Sequence, residues 1–202
     1  MRRKWAWKWT ALFLAIATLP LHAQTAAYDQ DMTGVGDQPG HVPKPAEEQL
    51  DAVYERQPVF YRTTEAPGTI VVDTSHRFLY LIESNNRAIR YGVGVGRIGF
   101  QWAGSHQVTR KAEWPDWRPP PEMIKRQPYL PRFMAGGPGN PLGARALYIG
   151  ETEYRIHGTN QPETIGHAVS SGCIRLANPD IVDLYGRVPV GTKIVVQHAP
   201  KL

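Results

Sequence analysis

Short β-branched and aromatic runs separated by glycine and proline fill residues 66–198, and this punctuation limits what the chain can become. With 19 glycines and 18 prolines among 202 residues, long helices are disfavoured. Thr69-Ile70-Val71-Val72 and Arg77-Phe78-Leu79-Tyr80-Leu81-Ile82 read as strands, and Ser84-Asn85-Asn86 separates the second from Ala88-Ile89-Arg90-Tyr91-Gly92-Val93 in the pattern of a hairpin. A second hairpin is predicted from Ala146-Leu147-Tyr148-Ile149, through a turn at Gly150-Glu151-Thr152, to Glu153-Tyr154-Arg155-Ile156, which leaves His157 where a strand runs out. One clear helix is predicted, with Asn178 as N-cap, Pro179 at its first position and Gly186 as its stop. Residues 192–197 close the chain as a strand. Together these give a mainly β, single-domain body with one or two short helices and enough residues for one core.

The first 23 residues read as a secretory leader: Arg2, Arg3, Lys4 and Lys8, an apolar run from Trp9 to Leu21, then Leu21-His22-Ala23. The run is too short to span about 30 Å of hydrocarbon comfortably, so cleavage is expected, with no stable membrane insertion after it, and an uncleaved anchor is the alternative. The expected location is the periplasm or another wall-facing compartment. Loss of the leader removes four of the 23 lysines and arginines and none of the 18 acids, which leaves the chain close to neutral. Nucleic acid is therefore an unsuitable partner. Residues 24–65, with Pro39, Gly40, Pro43, Pro45 and Pro58, read as a flexible N-terminal arm, apart from a short helical stretch ending at Tyr54 whose Leu50, Val53 and Tyr54 can pack back on the body.

Cys173 is the only cysteine, so no disulfide can form within the chain. It stands in Ser170-Ser171-Gly172-Cys173-Ile174-Arg175, downstream of His157-Gly158. A thiol attacks carbonyl carbon as thiolate and at neutral pH needs a base; His157 is the candidate, able to take the thiol proton and return it to a leaving amine. Gly172 allows a sharp turn beside the nucleophile, and the amides of Gly172 and Cys173 are candidates for an oxyanion hole. Arg175, two residues on, shares a side with Cys173 in an extended segment and suits a substrate carboxylate. Ser170 and Ser171 tune the turn. Asn140 is a candidate donor to substrate, although Pro-Gly-Asn-Pro is first of all turn chemistry. Trp114, Trp117, Pro119, Pro120, Pro121 and Met123 suit either a cleft wall or core packing, with Trp114 a candidate substrate contact. Gly94, Gly96 and Gly99 lack the helix and lysine of a phosphate loop.

These residues resemble the L,D-transpeptidase catalytic domain family (YkuD-like, ErfK-type), whose pattern is a histidine-glycine pair, a short loop, then serine, any residue, glycine, cysteine, a hydrophobic residue and arginine. The resemblance extends to Thr69-Ile70-Val71-Val72-Asp73, Arg77-Phe78-Leu79-Tyr80-Leu81, Tyr91-Gly92-Val93-Gly94-Val95-Gly96 and Gly139-Asn140-Pro141-Leu142-Gly143. It implies a YkuD-like β-sandwich of mixed sheets over residues 66–198, with Cys173 as nucleophile, His157 as base and the main-chain oxygen of Gly158 orienting the ring. It also implies action on peptidoglycan tetrapeptide stems through a thioester, with no metal or organic cofactor and a monomeric enzyme. The acyl acceptor is left open: a stem-peptide amine gives 3-3 cross-links, a lysine of an outer-membrane protein gives anchoring, and water gives an L,D-endopeptidase or carboxypeptidase. Many members carry histidine immediately before Gly-Cys, where this chain has Ser171, so His167 stands as a second candidate base. Two rivals remain at this stage: a zinc site of His157, His167 and Cys173, whose spacing fits no common signature, and a non-catalytic cell-wall binding module.

Overall fold

A computed structural model describes residues 37–45 and 47–198. The leader expected at residues 1–23 lies outside the described residues. Strands form where the β-branched runs lie: β1 Gln57–Phe60, β2 Ile70–Asp73, β3 Phe78–Ile82, β4 Arg87–Gly92, β5 Val95–Gly96, β6 Gly104–Glu113, β7 Arg145–Ile149, β8 Arg155–His157, β9 Ala168–Ser170, β10 Ile174–Arg175 and β11 Lys193–Gln197. Two helices, α1 Pro121–Arg126 and α2 Asn178–Arg187, complete the set with two 3-10 turns, Ala52–Tyr54 and Pro162–Thr164. Both expected hairpins are present, β3 with β4 and β7 with β8.

Nine strands form one mixed sheet in the order β1-β4-β3-β2-β11-β6-β7-β8-β10, and β5 pairs with β9 separately. The sheet is folded by β6. Its first part pairs with β11 and its second with β7, and the register shifts between Val108 and Arg110, where one strand passes between two layers. At the far edge Arg175 and Gly94 exchange backbone hydrogen bonds of 2.8 and 2.9 Å, which ties β10 back beside the segment after β4. The enclosed core includes Ile70, Leu79, Tyr91, Leu147, Ile156, Ile174, Leu184 and Ile194, all nearly or fully buried.

Three expectations are corrected. Residues 57–60 belong to the sheet as an edge strand on β4 rather than to a flexible arm. Upstream of them, Tyr54 packs against Gly92, Gly166 and Phe78, whereas the helix expected to end there is only the 3-10 turn Ala52–Tyr54 and Val53 is exposed. Asn178 does not cap α2, and Gly186 does not stop it; the helix follows Ala177 and runs to Arg187. Asn178 instead accepts the Ala144 amide and donates to the Thr159 carbonyl, both at 2.9 Å, so it joins the loops before β7 and after β8. Lys111 of β6 donates to the carbonyls of Tyr185 and Val188 at the end of α2, satisfying groups that a helix C-terminus leaves open.

Candidate active site

The parallel pair β8–β10 sets the site. Ile174 lies opposite Ile156 and Arg175 opposite His157, so strand alternation sends the two isoleucines inward and Arg155, His157, Cys173 and Arg175 to the other face. Those four residues line one narrow cleft of about 70 Å³.

His157 is buried, with Nδ1 2.5 Å from the Gly158 carbonyl oxygen. A carbonyl only accepts, so the ring carries its proton on Nδ1 and Nε2 keeps a free lone pair. Burial, and then the charges of Arg175 and Arg155, lower the His157 pKa to about 3, against the opposing pull of the Gly158 and Leu142 backbone. Burial also pushes the Cys173 thiol up; Arg155, by its charge and by backbone and side-chain hydrogen bonds, and Arg175 pull it partly back. The resting pair is therefore a neutral imidazole and a protonated thiol, a state in which proton removal accompanies attack rather than preceding it.

Gly172 has φ +108, a left-handed backbone, and a Cβ there would run into the Tyr154 ring. Tyr154 in turn stacks on Trp102 with ring centroids 4.7 Å apart, and Trp102 Nε1 donates to the Gly172 carbonyl at 2.7 Å. Ser170 closes the same turn: its hydroxyl donates to the Cys173 carbonyl at 2.6 Å and accepts the Gly172 amide at 3.2 Å. The Gly172 amide is thus engaged within the turn, so of the two amides expected to serve as oxyanion donors only that of Cys173 stays a candidate. Ser171 sits at the rim, accepting from Arg126 at 3.2 Å.

Arg175 is buried and paired with Asp37, Nη2 to Oδ1 at 2.5 Å. The other expected contacts fall elsewhere. Asn140 is fully buried, donating to the carbonyls of Pro115, Met134 and Ala135 and accepting the Leu142 amide, so it holds the loop before β7 together rather than facing substrate. Trp114, at φ +40, does not line the cleft; buried Trp117 does, with Pro120 and Met123. His167 lines a separate groove with His41 and Glu163, apart from the Cys173 cleft, which removes both the second base and the three-ligand zinc set.

Sequence reasoning missed Asp37, Trp102, Tyr154 and Arg155. Arg155 was within reach, since it precedes His157 by two residues on one strand and must share its face. Asp37 and Trp102 arrive from more than 60 residues away and carry no local signal.

A mixed-sheet body that presents a histidine at the end of one strand and a cysteine just before the parallel strand beside it is the class that fold and site define here. The family model of the L,D-transpeptidase catalytic domain (YkuD) matches residues 67–196, and the chain belongs to that family. Among relatives, "Probable L,D-transpeptidase ErfK/SrfK" of Escherichia coli strain K12 is 40% identical over 145 residues, 68% of this chain and 46% of that protein. "Probable L,D-transpeptidase YbiS" of the same strain is 38% identical over 136 residues, 63% of this chain and 43% of that protein. The chain spans less than half the length of either. The solved avibactam carbamoyl enzyme of Ldtfm has the same fold, with a TM-score of 0.54 at 20% identity over 67% of this chain and 51% of that one.

Proposed function

We propose that the protein is a peptidoglycan L,D-transpeptidase acting through an acyl-enzyme on Cys173. The observation that carries this reading is the shared cleft of Cys173 and a His157 whose Nδ1 is held by Gly158, which leaves Nε2 bare. As the thiol sulfur attacks the carbonyl carbon between an L-centre and the following D-alanine, Nε2 takes the thiol proton. The C–N bond then breaks, the proton passes to the leaving D-alanine amine, and a thioester remains. An acceptor amine next attacks that carbonyl and gives a proton to His157 Nε2; the C–N bond forms as the C–S bond breaks, and His157 passes that proton to the sulfur. The Cys173 amide stabilises the oxyanion in both steps. Residues 66–198, with the edge strand from Gln57, form the catalytic domain behind a leader and an arm. The protein works as a monomer at the wall-facing side of the membrane, with a stem peptide or an outer-membrane protein as acceptor; no helix among the described residues is long and apolar enough to cross a membrane.

The test is chromatography of muropeptides after incubation with a disaccharide-tetrapeptide. A 3-3 linked dimer with released D-alanine is expected from wild type and not from Cys173→Ala. Tripeptide alone would assign the water-accepting reaction, and an unchanged substrate that still binds both proteins would assign a binding module.

A further inference from the structure

The N-terminal segment lies in a built seat beside the cleft. Asn160, fully buried, donates from Nδ2 to the carbonyls of Gln38, His41 and Gly139 at 2.8, 3.0 and 3.2 Å. The Gly40 amide donates to the Gly139 carbonyl at 2.8 Å, and a side chain at Gly139 would crowd the Gly40 backbone. These contacts deliver Asp37 into the cleft, where its carboxylate meets Arg175.

Arg175 does not stand alone. Arg97 and Arg126 place their guanidinium groups 4.6 and 4.9 Å from the centre of the Phe100 ring, and Arg126 reaches Ser171 beside Cys173. Arg97 is held below its ordinary value by burial and then by the charges of Arg126 and Arg175, with Asp37 opposing, so all four groups share one field. Glu153 and Arg155 also line the cleft, and Arg175 is the guanidinium that Asp37 pairs with. Asp37 also engages Arg175 through one nitrogen only: the Arg175 Nε is buried with no partner among the described residues, although a guanidinium can grip a carboxylate with two.

We propose that Arg175, with Arg97 and Arg126 at its rim, is a seat for a carboxylate of the peptide substrate, and that Asp37 fills this seat until substrate displaces it. The substrate half of this inference rests on the proposed function; the occupancy of the seat does not. A peptide carboxylate that uses both Nε and Nη of Arg175 outcompetes the single contact of Asp37. The N-terminal segment thereby acts as an internal competitor, raising the substrate concentration needed for acylation while leaving the rate of the bound complex unchanged.

The experiment alkylates Cys173 with iodoacetate, which carries a carboxylate, and with iodoacetamide, which does not, in wild type, Asp37→Asn and Asp37→Glu. Asp37→Asn should raise the ratio of the two rates by about tenfold, the scale of freeing one partly buried ion pair. Asp37→Glu should restore the wild-type ratio. The gain should saturate with iodoacetate concentration and be competed by acetate but not by chloride at equal ionic strength. An unchanged ratio, a gain that acetate does not compete, or a thiol that neither reagent reaches in any of the three proteins overturns the proposal. Failure of muropeptide turnover with the alkylation result intact would overturn the transpeptidase reading and leave the seat standing for another carboxylate.

Discussion

The backbone carbonyl of Gly158 fixes the tautomer of His157 and, in the proposed reaction, the direction in which protons move. His157→Ala should lower acylation by about 10²–10⁴-fold, the usual range for a lost general base, while His167→Ala, whose ring lines a different groove, should leave most of it. Acylation rates of the two variants decide the point, and the reverse order would contradict the assignment. Because His157 is neutral down to about pH 3 and the Cys173 thiol is raised, alkylation by iodoacetamide should climb through the alkaline range. A plateau from pH 5 to 8 would mean a preformed thiolate–imidazolium pair instead. Gly172→Ala should cost about 1–3 kcal/mol in unfolding free energy and most of the acylation rate, since the new Cβ meets both an unfavourable φ and the Tyr154 ring. That Cys173 and His157 would share a cleft, with Gly158 against the ring, was legible because the motif is local. The fate of Asn140 was not, because the same turn sequence serves a loop that folds on itself and one that faces a ligand.

The strands whose role a sequence states plainly are those rich in β-branched and aromatic residues, such as β2, which is buried on both faces, and the β3–β4 hairpin. β6 was illegible for the opposite reason: of its ten residues only Val108 is buried, and it is a strand because β11 and β7 offer it partners on both sides. Helix α2 shows a second limit. Gly186 lies in its last turn, where Lys111 binds the adjacent carbonyls, and tertiary contacts there outweigh the propensity cost of glycine. Near the start of α2, burial raises the Asp180 pKa to about 6, with Arg56 pulling it down and Asp183 pushing it up. A folded pKa above the unfolded value means the folded state holds the proton longer, so this residue costs stability as pH rises from about 4 through 6. Asp180→Asn removes that cost. Its stability gain over wild type should be larger at pH 8 than at pH 4 by about 1–3 kcal/mol in denaturant titrations, and a gain independent of pH would contradict the burial argument.

At the scale of the molecule, one sheet bent at β6 brings the chain's far parts to a single cleft: β8 and the turn entering β10 supply His157 and Cys173, the segment before β6 supplies Trp102, and residues 37–41 supply the carboxylate paired with Arg175. The mainly β architecture was readable from periodicity, but this convergence depends on register and crossover order, which no local pattern encodes. The same convergence gives the central claim its sharpest consequence, a covalent bond at one named sulfur. Intact mass analysis of the purified protein, wild type beside Cys173→Ala, after incubation with a disaccharide-tetrapeptide, tests it directly. The account predicts an adduct of disaccharide-tripeptide acyl mass on wild type alone, located at Cys173 by peptide mapping. Turnover of the substrate by Cys173→Ala at the wild-type rate would contradict it.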